Sequence, residues 1–282
     1  MSDSFKEVKV LDNFYQTSSY YPMPVVLITT LSKDGLTNIG PYSLCFPFGI
    51  AEKHYMMLIS RSDSNTAVNI RRTGSAVINF IPNSKKYLAN TVRLGYPGQT
   101  SKEKNAESIF TLRPSLREKD DDSIYPDIID ESIQVMECTW EKDEDIFHYK
   151  GSEGESHFLL SIDHIFIKEK WHTALLEGNG RFPSLPVDYG YRDSKYFWFA
   201  KHGRPYKEPI PQDKGIDINT IKYQVQRLPY DIEWEDEACE RLVKVPRIFL
   251  KKVLDAISKK ALEDGIKRIT PEILDEYNKK RR

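Results

Sequence analysis

Residues 55–82, YMMLISRSDSNTAVNIRRTGSAVINFIP, decide the fold. The run 55–60 is apolar, short and bounded by polar residues, which reads as a strand. The run 75–82 repeats that pattern with β-branched side chains, which fit a pleated surface. Between them a polar loop leads into a helix that begins near Ser64–Thr66, with its body over residues 66–72. Outward from this unit, short apolar runs recur at 25–31, 42–50, 132–140, 158–171 and 196–200. Residues 25–31 end at Ser32-Lys33-Asp34-Gly35, where the Asp-Gly pair accepts a tight turn. Many short strands at this spacing predict an antiparallel barrel or sandwich rather than a doubly wound sheet. A second helix is expected over 85–94, and residues 95–130, with the acidic run 118–122, read as a surface excursion.

Composition narrows the class. The chain has 282 residues, room for one large domain or a domain with a small appendage. Its 41 Lys+Arg against 42 Asp+Glu leave a formal net charge of -1, which argues against a dedicated nucleic-acid binder. The longest apolar run is far short of the ~20 residues that a bilayer helix needs. The N-terminal MSDSFKEVKV lacks the basic start and apolar run of a secretory signal. A cytoplasmic protein with no membrane partner is the expectation. Cys45, Cys138 and Cys239 are widely separated and read as reduced, buried thiols. His148, His157, His164 and His172 have no metal-ligand spacing, so no metal site is expected, and His164 beside Asp163 reads as an ordinary strand residue. Phosphate loops, nucleophile elbows and Cys-x-x-Cys pairs are absent from the sequence.

The texture changes after about residue 205. Residues 204–230 carry four prolines (Pro205, Pro209, Pro211, Pro229) and read as a linker or wrapping arm over 206–230. From 231 onward three helices are expected, making a small C-terminal domain over 231–282. Trp234, Ala238 and Leu242 fall on one face of the first, with acidic residues in its first turn. Pro246 opens the second, whose apolar face is Leu250, Val253, Leu254, Ile257 and Ala261, and Gly265 ends it. Thr270-Pro271 starts the third, which carries Ile273, Leu274 and Tyr277. Lys279-Lys280-Arg281-Arg282 reads as a solvated tail.

Two segments are candidates for chemistry. In Ser60-Arg61-Ser62-Asp63-Ser64-Asn65-Thr66, a strand gives way to a helix start, whose free N–H groups and partial positive charge suit a phosphate monoester beside the hydroxyls and Arg61. Ordinary capping by Ser64 or Asn65 explains the same pattern. In Asn38-Ile39-Gly40-Pro41-Tyr42-Ser43, small residues and a proline leave a backbone edge open to a flat ring, although a bulged strand start reads alike.

Tyr21-Pro22-Met23-Pro24-Val25-Val26-Leu27-Ile28-Thr29-Thr30, the Asp34-Gly35 turn, Asn38-Ile39-Gly40-Pro41-Tyr42-Ser43, Asn65-Thr66-Ala67-Val68-Asn69-Ile70, Val77-Ile78-Asn79 and the stretch Pro126-Asp127-Ile128-Ile129-Asp130-Glu131-Ser132 leading to Met136-Glu137-Cys138 together resemble the flavin reductase-like family over roughly residues 15–205. The resemblance implies a mainly β fold, the FMN-binding split β-barrel, over residues 1–205. It implies that Asn38, Gly40, Pro41, Tyr42 and Ser43 face the isoalloxazine, and that Ser60, Arg61, Ser62, Asn65, Thr66 and Asn69 hold the phosphate and ribityl chain. Many relatives carry a lysine just before the matching threonine; here Ser64-Asn65 stands there and Arg61 is the nearest cation. A homodimer is implied too, with FMN (FAD being the other flavin) as cofactor, NAD(P)H as co-substrate and a protein or small molecule as electron acceptor. No side-chain acid or base stands out, so no catalytic residue is expected. A flavin electron carrier that does not oxidise NAD(P)H, or a tetrapyrrole- or partner-binding module, are the competing readings. Residues 231–282 resemble the small helical domain that ends the B subunit of light-independent protochlorophyllide reductase.

Overall fold

A computed structural model describes residues 4–49, 54–117, 125–151, 153–177, 180–191, 195–208 and 217–280. It divides into two compact units, Met1–Pro205 and Tyr206–Arg282.

In the first unit, α1 (Phe14–Thr17) precedes β1 (Met23–Pro24), β2 (Val26–Leu31), β3 (Thr37–Tyr42), β4 (Cys45–Phe48) and β5 (Tyr55–Arg61). There follow α2 (Asn65–Thr73), β6 (Ser75–Phe80), α3 (Lys85–Leu94), α4 (Ser101–Glu107), β7 (Leu112–Arg113) and β8 (Ile128–Ile129). The unit continues with β9 (Gln134–Glu141), α5 (Glu144–Phe147), β10 (Glu155–Ile167), α6 (Glu169–Glu177), β11 (Pro186–Tyr191) and β12 (Phe197–Lys201). Seven of these strands form one sheet in the order β3-β2-β6-β9-β10-β5-β4, every neighbouring pair antiparallel. Its two edges, β3 and β4, are consecutive in the chain and separated only by Ser43 and Leu44. The three residue steps from Tyr42 to Cys45 reach no more than about 11 Å, so the sheet must curl to bring its edges near each other. The result is an open, split barrel, and the hinge between its edges is Ser43.

The barrel is filled from alternate positions of its strands. Val26, Ile28, Leu58, Ile78, Phe158 and Leu160 share one cluster with Ala67 and Ile70 of α2. Trp140, Phe147 and Phe158 close it, with ring centroids 5.2 to 5.4 Å apart. Leu27 and Ile39 point the other way, into a second cluster with Ile81, Leu94, Phe110 and Ile129. Both faces of β2 are therefore covered, which is why residues 25–31 show no alternation.

The structure departs from three expectations. Residues 95–130 are more than a surface excursion: α4 begins in a capping box between Thr100 and Glu103, and Phe110, Ile128 and Ile129 are buried. The acidic run 118–122 lies outside the described residues. The run 158–171 is one strand to Ile167 and then the start of α6. The stretch 206–230 contains a helix, α7 (Ile218–Val225), capped by Asp217, whose carboxylate accepts the Thr220 N–H at 2.7 Å.

In the second unit α7 is followed by β13 (Glu233–Trp234), α8 (Asp236–Arg241), α9 (Arg247–Glu263), β14 (Arg268–Ile269) and α10 (Pro271–Lys280). Among the described residues of 231–282 there are three helices, α8, α9 and α10, as expected, and α7 in the preceding stretch adds a fourth to the unit. Ile221 of α7 is fully buried beside Ala238, Cys239, Leu242, Leu250, Leu254, Ala261, Ile269 and Leu274, so α7 completes this core. Trp234 sits in β13, paired in parallel with Ile269, not on the helix. Gly265, at φ +72, ends α9's last turn in a conformation that only glycine adopts freely.

Candidate functional site

The first unit holds a cleft of about 910 Å³, within the usual size for a cofactor-sized ligand. Its floor is the seam of the barrel: Pro41, Tyr42, Ser43 and Leu44 leaving β3, and Ile59, Ser60 and Arg61 at the end of β5. One flank comes from the C-terminal half of α3 and the turn after it, through Val92, Arg93, Tyr96 and Pro97. The opposite flank comes from β11 and β12, through Asp188, Tyr191, Phe197 and Phe199, with Tyr15 and Gln16 of α1.

The seam carries a cluster of hydroxyls. Tyr42 Oη lies 2.7 Å from Ser60 Oγ and 3.2 Å from Ser64 Oγ, and the two serine oxygens are 2.8 Å apart. Ser64 is the N-cap of α2, accepting the Ala67 N–H at 3.0 Å. The helix start and the hydroxyl cluster are thus one structure, and a helix N-terminus is an end where N–H groups lack intrahelical partners and suit an anion. Arg61 borders this end, its Nε 3.3 Å from Asp63 Oδ1, a solvent-exposed pair worth little by itself.

On the far flank sits a buried carboxylate. Asp188 is 3% exposed; its Oδ2 accepts the Ser43 hydroxyl at 2.6 Å and its Oδ1 accepts the Gly190 N–H at 2.7 Å. Gly190 has φ +74, and a Cβ there would stand 2.5 Å from Gln16, so its lack of a side chain seats α1 against β11. Burial, with Glu155, Tyr191 and Asp188 nearby, raises the Tyr15 phenol above its ordinary 10, keeping it protonated.

The structure separates the expected site residues into two groups. Pro41, Tyr42, Ser43, Ser60 and Arg61 line the cleft. The others lie behind it. Asn38 is fully buried, with Asn65 and Ser101 each 3.5 Å from its Oδ1. Asn65 donates to the Gln99 carbonyl at 2.8 Å. Gly40 lies so close to Thr66 that a Cβ would come within 2.5 Å of its Oγ1. Ser62 pairs with Ser156 at 2.9 Å, and Asn69 donates to Thr30 Oγ1 at 3.1 Å, under the helix. These contacts fasten α2 and α4 to the sheet. The strand carrying Phe197 and Phe199 is expected from the run at 196–200, but that it flanks the cleft together with Asp188 and Tyr191 is not legible in the sequence. The only local sign of Asp188 is a carboxylate between Val187 and Tyr189 in a strand-like run, and nothing there reveals what it faces.

The three cysteines are free and buried, and burial pushes the Cys45 thiol up to about 12. Among the described residues no group of three His, Cys, Asp or Glu is placed to hold a metal ion.

The flavin reductase like domain model matches residues 18–186, more than half of the chain. The chain belongs to the flavin reductase-like family. Its barrel seam, hydroxyl cluster and α2 start all lie inside the matched segment, whereas Asp188, Tyr191, Phe197 and Phe199 lie beyond it. Among curated relatives, an uncharacterized protein of Methanothermobacter thermautotrophicus is 41% identical over 71 residues, 25% of this chain and 32% of that protein. The chain thus spans about a third of that relative's length. The uncharacterized protein YdfE of Bacillus subtilis is 27% identical over 192 residues, 67% of this chain and 87% of its own. Among solved structures, nitrilotriacetate monooxygenase component B from Bacillus cereus aligns with a TM-score of 0.56 at 16% identity, over 73% of this chain and all of that one. Flavoredoxin from Methanosarcina acetivorans aligns at 0.53 and 17% identity, over 74% of this chain and 98% of its own. At these identities the likeness shows the fold alone. No helix among the described residues is long and apolar enough to cross a membrane.

Proposed function

We propose that this chain is an FMN-binding oxidoreductase that takes electrons from NAD(P)H and passes them to a separate acceptor. The observation that carries the reading is the joining of two features in one cleft: an anion-suited end at Ser60 and Arg61, backed by Ser64 at the α2 N-cap, and a flank of aromatic rings. The donor set fits a phosphorylated flavin. Hydroxyls, backbone N–H groups and a guanidinium match a phosphate monoester. Tyr42, Tyr96, Tyr191, Phe197 and Phe199 offer apolar area for a three-ring system.

In this reading the phosphate is held by Ser60, Ser64, Arg61 and the first turn of α2, and the ring lies along Pro41, Tyr42 and Ser43. Bound flavin supplies the redox chemistry. The protein binds and orients: Pro41 and Tyr42 fix one edge of the ring, and the aromatic flank excludes water from it. Asn38, Gly40, Ser62, Asn65, Thr66 and Asn69 act through packing, holding the α2 start against β3.

The family resemblance supports FMN over FAD, a homodimer and residence in the cytoplasm. Residues 231–282, with the likeness read in their sequence, are assigned to partner contact. The protein as purified, or after FMN is added, should show flavin absorption bands that NADH or NADPH bleaches under anaerobic conditions. Flavin bands that neither nucleotide bleaches would favour a flavin electron carrier. A colourless protein that FMN does not stabilise against heat would overturn the reading altogether.

A further inference from the structure

Ser43 occupies a singular place, the hinge between the two edges of the barrel, and its hydroxyl proton is committed. Donation to Asp188 Oδ2 at 2.6 Å leaves the serine oxygen with lone pairs and no hydrogen to offer the cleft. The acceptor on the other side cannot turn away. Asp188 is 3% exposed, and its second oxygen is engaged by the Gly190 N–H at 2.7 Å. Gly190 is itself fixed by a positive φ and by Gln16 packed against it.

We infer that Asp188 is a positioning residue that makes Ser43 an obligate hydrogen-bond acceptor toward the cleft, so that this point of the site takes a ring N–H of the bound flavin. The inference rests on the flavin reading above. Two N–H groups could meet it: the imide N–H, present in oxidised and reduced rings alike, or the N–H that reduction adds to the central ring. Asp188 comes from a strand that runs beyond the family-matched segment.

The substitution Asp188→Asn tests it sharply. The Gly190 N–H demands an acceptor, so the amide oxygen of Asn stays on that side and its NH2 faces Ser43. Ser43 then accepts, and its proton swings into the cleft. One substitution of equal shape reverses the polarity of the contact. Dissociation constants for oxidised and dithionite-reduced FMN would be measured on the full chain for wild type, D188N, S43A and the double variant. S43A should weaken FMN roughly 5- to 10-fold, the size of one hydrogen bond, and D188N at least as much. In the S43A background D188N should cost nothing further, because Asp188 acts through Ser43.

Weakening in both oxidation states assigns the imide N–H. Weakening of reduced FMN alone assigns the N–H added on reduction, and a tenfold change in the reduced-to-oxidised affinity ratio then reads as ~30 mV in midpoint potential. An equal effect of D188N with and without Ser43, or no effect of S43A on either form, overturns the inference. S43A also takes the donor from Asp188 Oδ2, so a thermal melt of each variant is recorded beside its FMN affinity, and a folded S43A remains informative if D188N fails to fold. Wild type that binds no FMN at all would instead sink the flavin reading itself.

Discussion

Gly40 and Thr66 show how much of this site is decided by single atoms. A Cβ on Gly40 would stand 2.5 Å from Thr66 Oγ1 and 3.1 Å from Tyr42 Cε2, so β3 has no room for a side chain there. Gly40 is needed so that the start of α2 can lie directly on the strand that leads to the ring-facing segment. Gly40→Ala should therefore lower stability by about 1–3 kcal/mol, the usual cost of overpacking. Thr66→Ala removes the atom in the way, so the double variant should recover part of that loss. Urea denaturation of the four proteins checks this, and a full, additive loss in the double variant would show that the clash lies elsewhere. The residue types at 38–43 and 60–69 are readable from sequence as polar, small and cap-forming. Which of them face the cleft is not, because Asn65, Asn69 and Asn38 meet partners on Gln99, Thr30 and Ser101 that lie between 34 and 63 residues away in the chain.

At the scale of elements, α2 links the fold to the site. Its capping serine does two things: it accepts the Ala67 N–H, and it belongs to the hydroxyl cluster with Tyr42 and Ser60. Ser64→Ala should cost about 1 kcal/mol of stability through the lost cap. It should also weaken FMN, since the cluster loses one of its hydroxyls; Ser64→Thr should restore both. Thermal melts and FMN titrations of the two variants measure the effects, and a cap loss without any change in FMN affinity would detach the cluster from phosphate binding. This strand–loop–helix element is legible because its signals are local: an apolar run, capping residues, then a β-branched run. The helix α7 is hidden from such reading because its evidence is tertiary. Ile221 is one buried side chain in a proline-flanked polar stretch, and only the core that it joins declares it. The stretch 95–130 looks like an excursion for the same reason, since Phe110 and Ile129 are anchors only once the back of the sheet exists to receive them.

For the whole molecule, the described residues that line the cleft belong to Met1–Pro205, and the second unit has a hydrophobic core of its own. The strand pattern foreshadows an antiparallel barrel but not its seam: the run at 42–50 reads as one strand, whereas Ser43 and Leu44 divide it and join the two edges of the seven-stranded sheet. The aromatic flank is not foreshadowed either, because β11 and β12 pair with β1 and with each other rather than with the main sheet. The most direct measurement is a fluorescence titration of FMN with the full chain and, in parallel, with residues 1–205. Saturable quenching with closely similar dissociation constants for both proteins is the expected result. FMN emission that a large excess of the full chain leaves unchanged would contradict the assignment of the barrel seam as a flavin site.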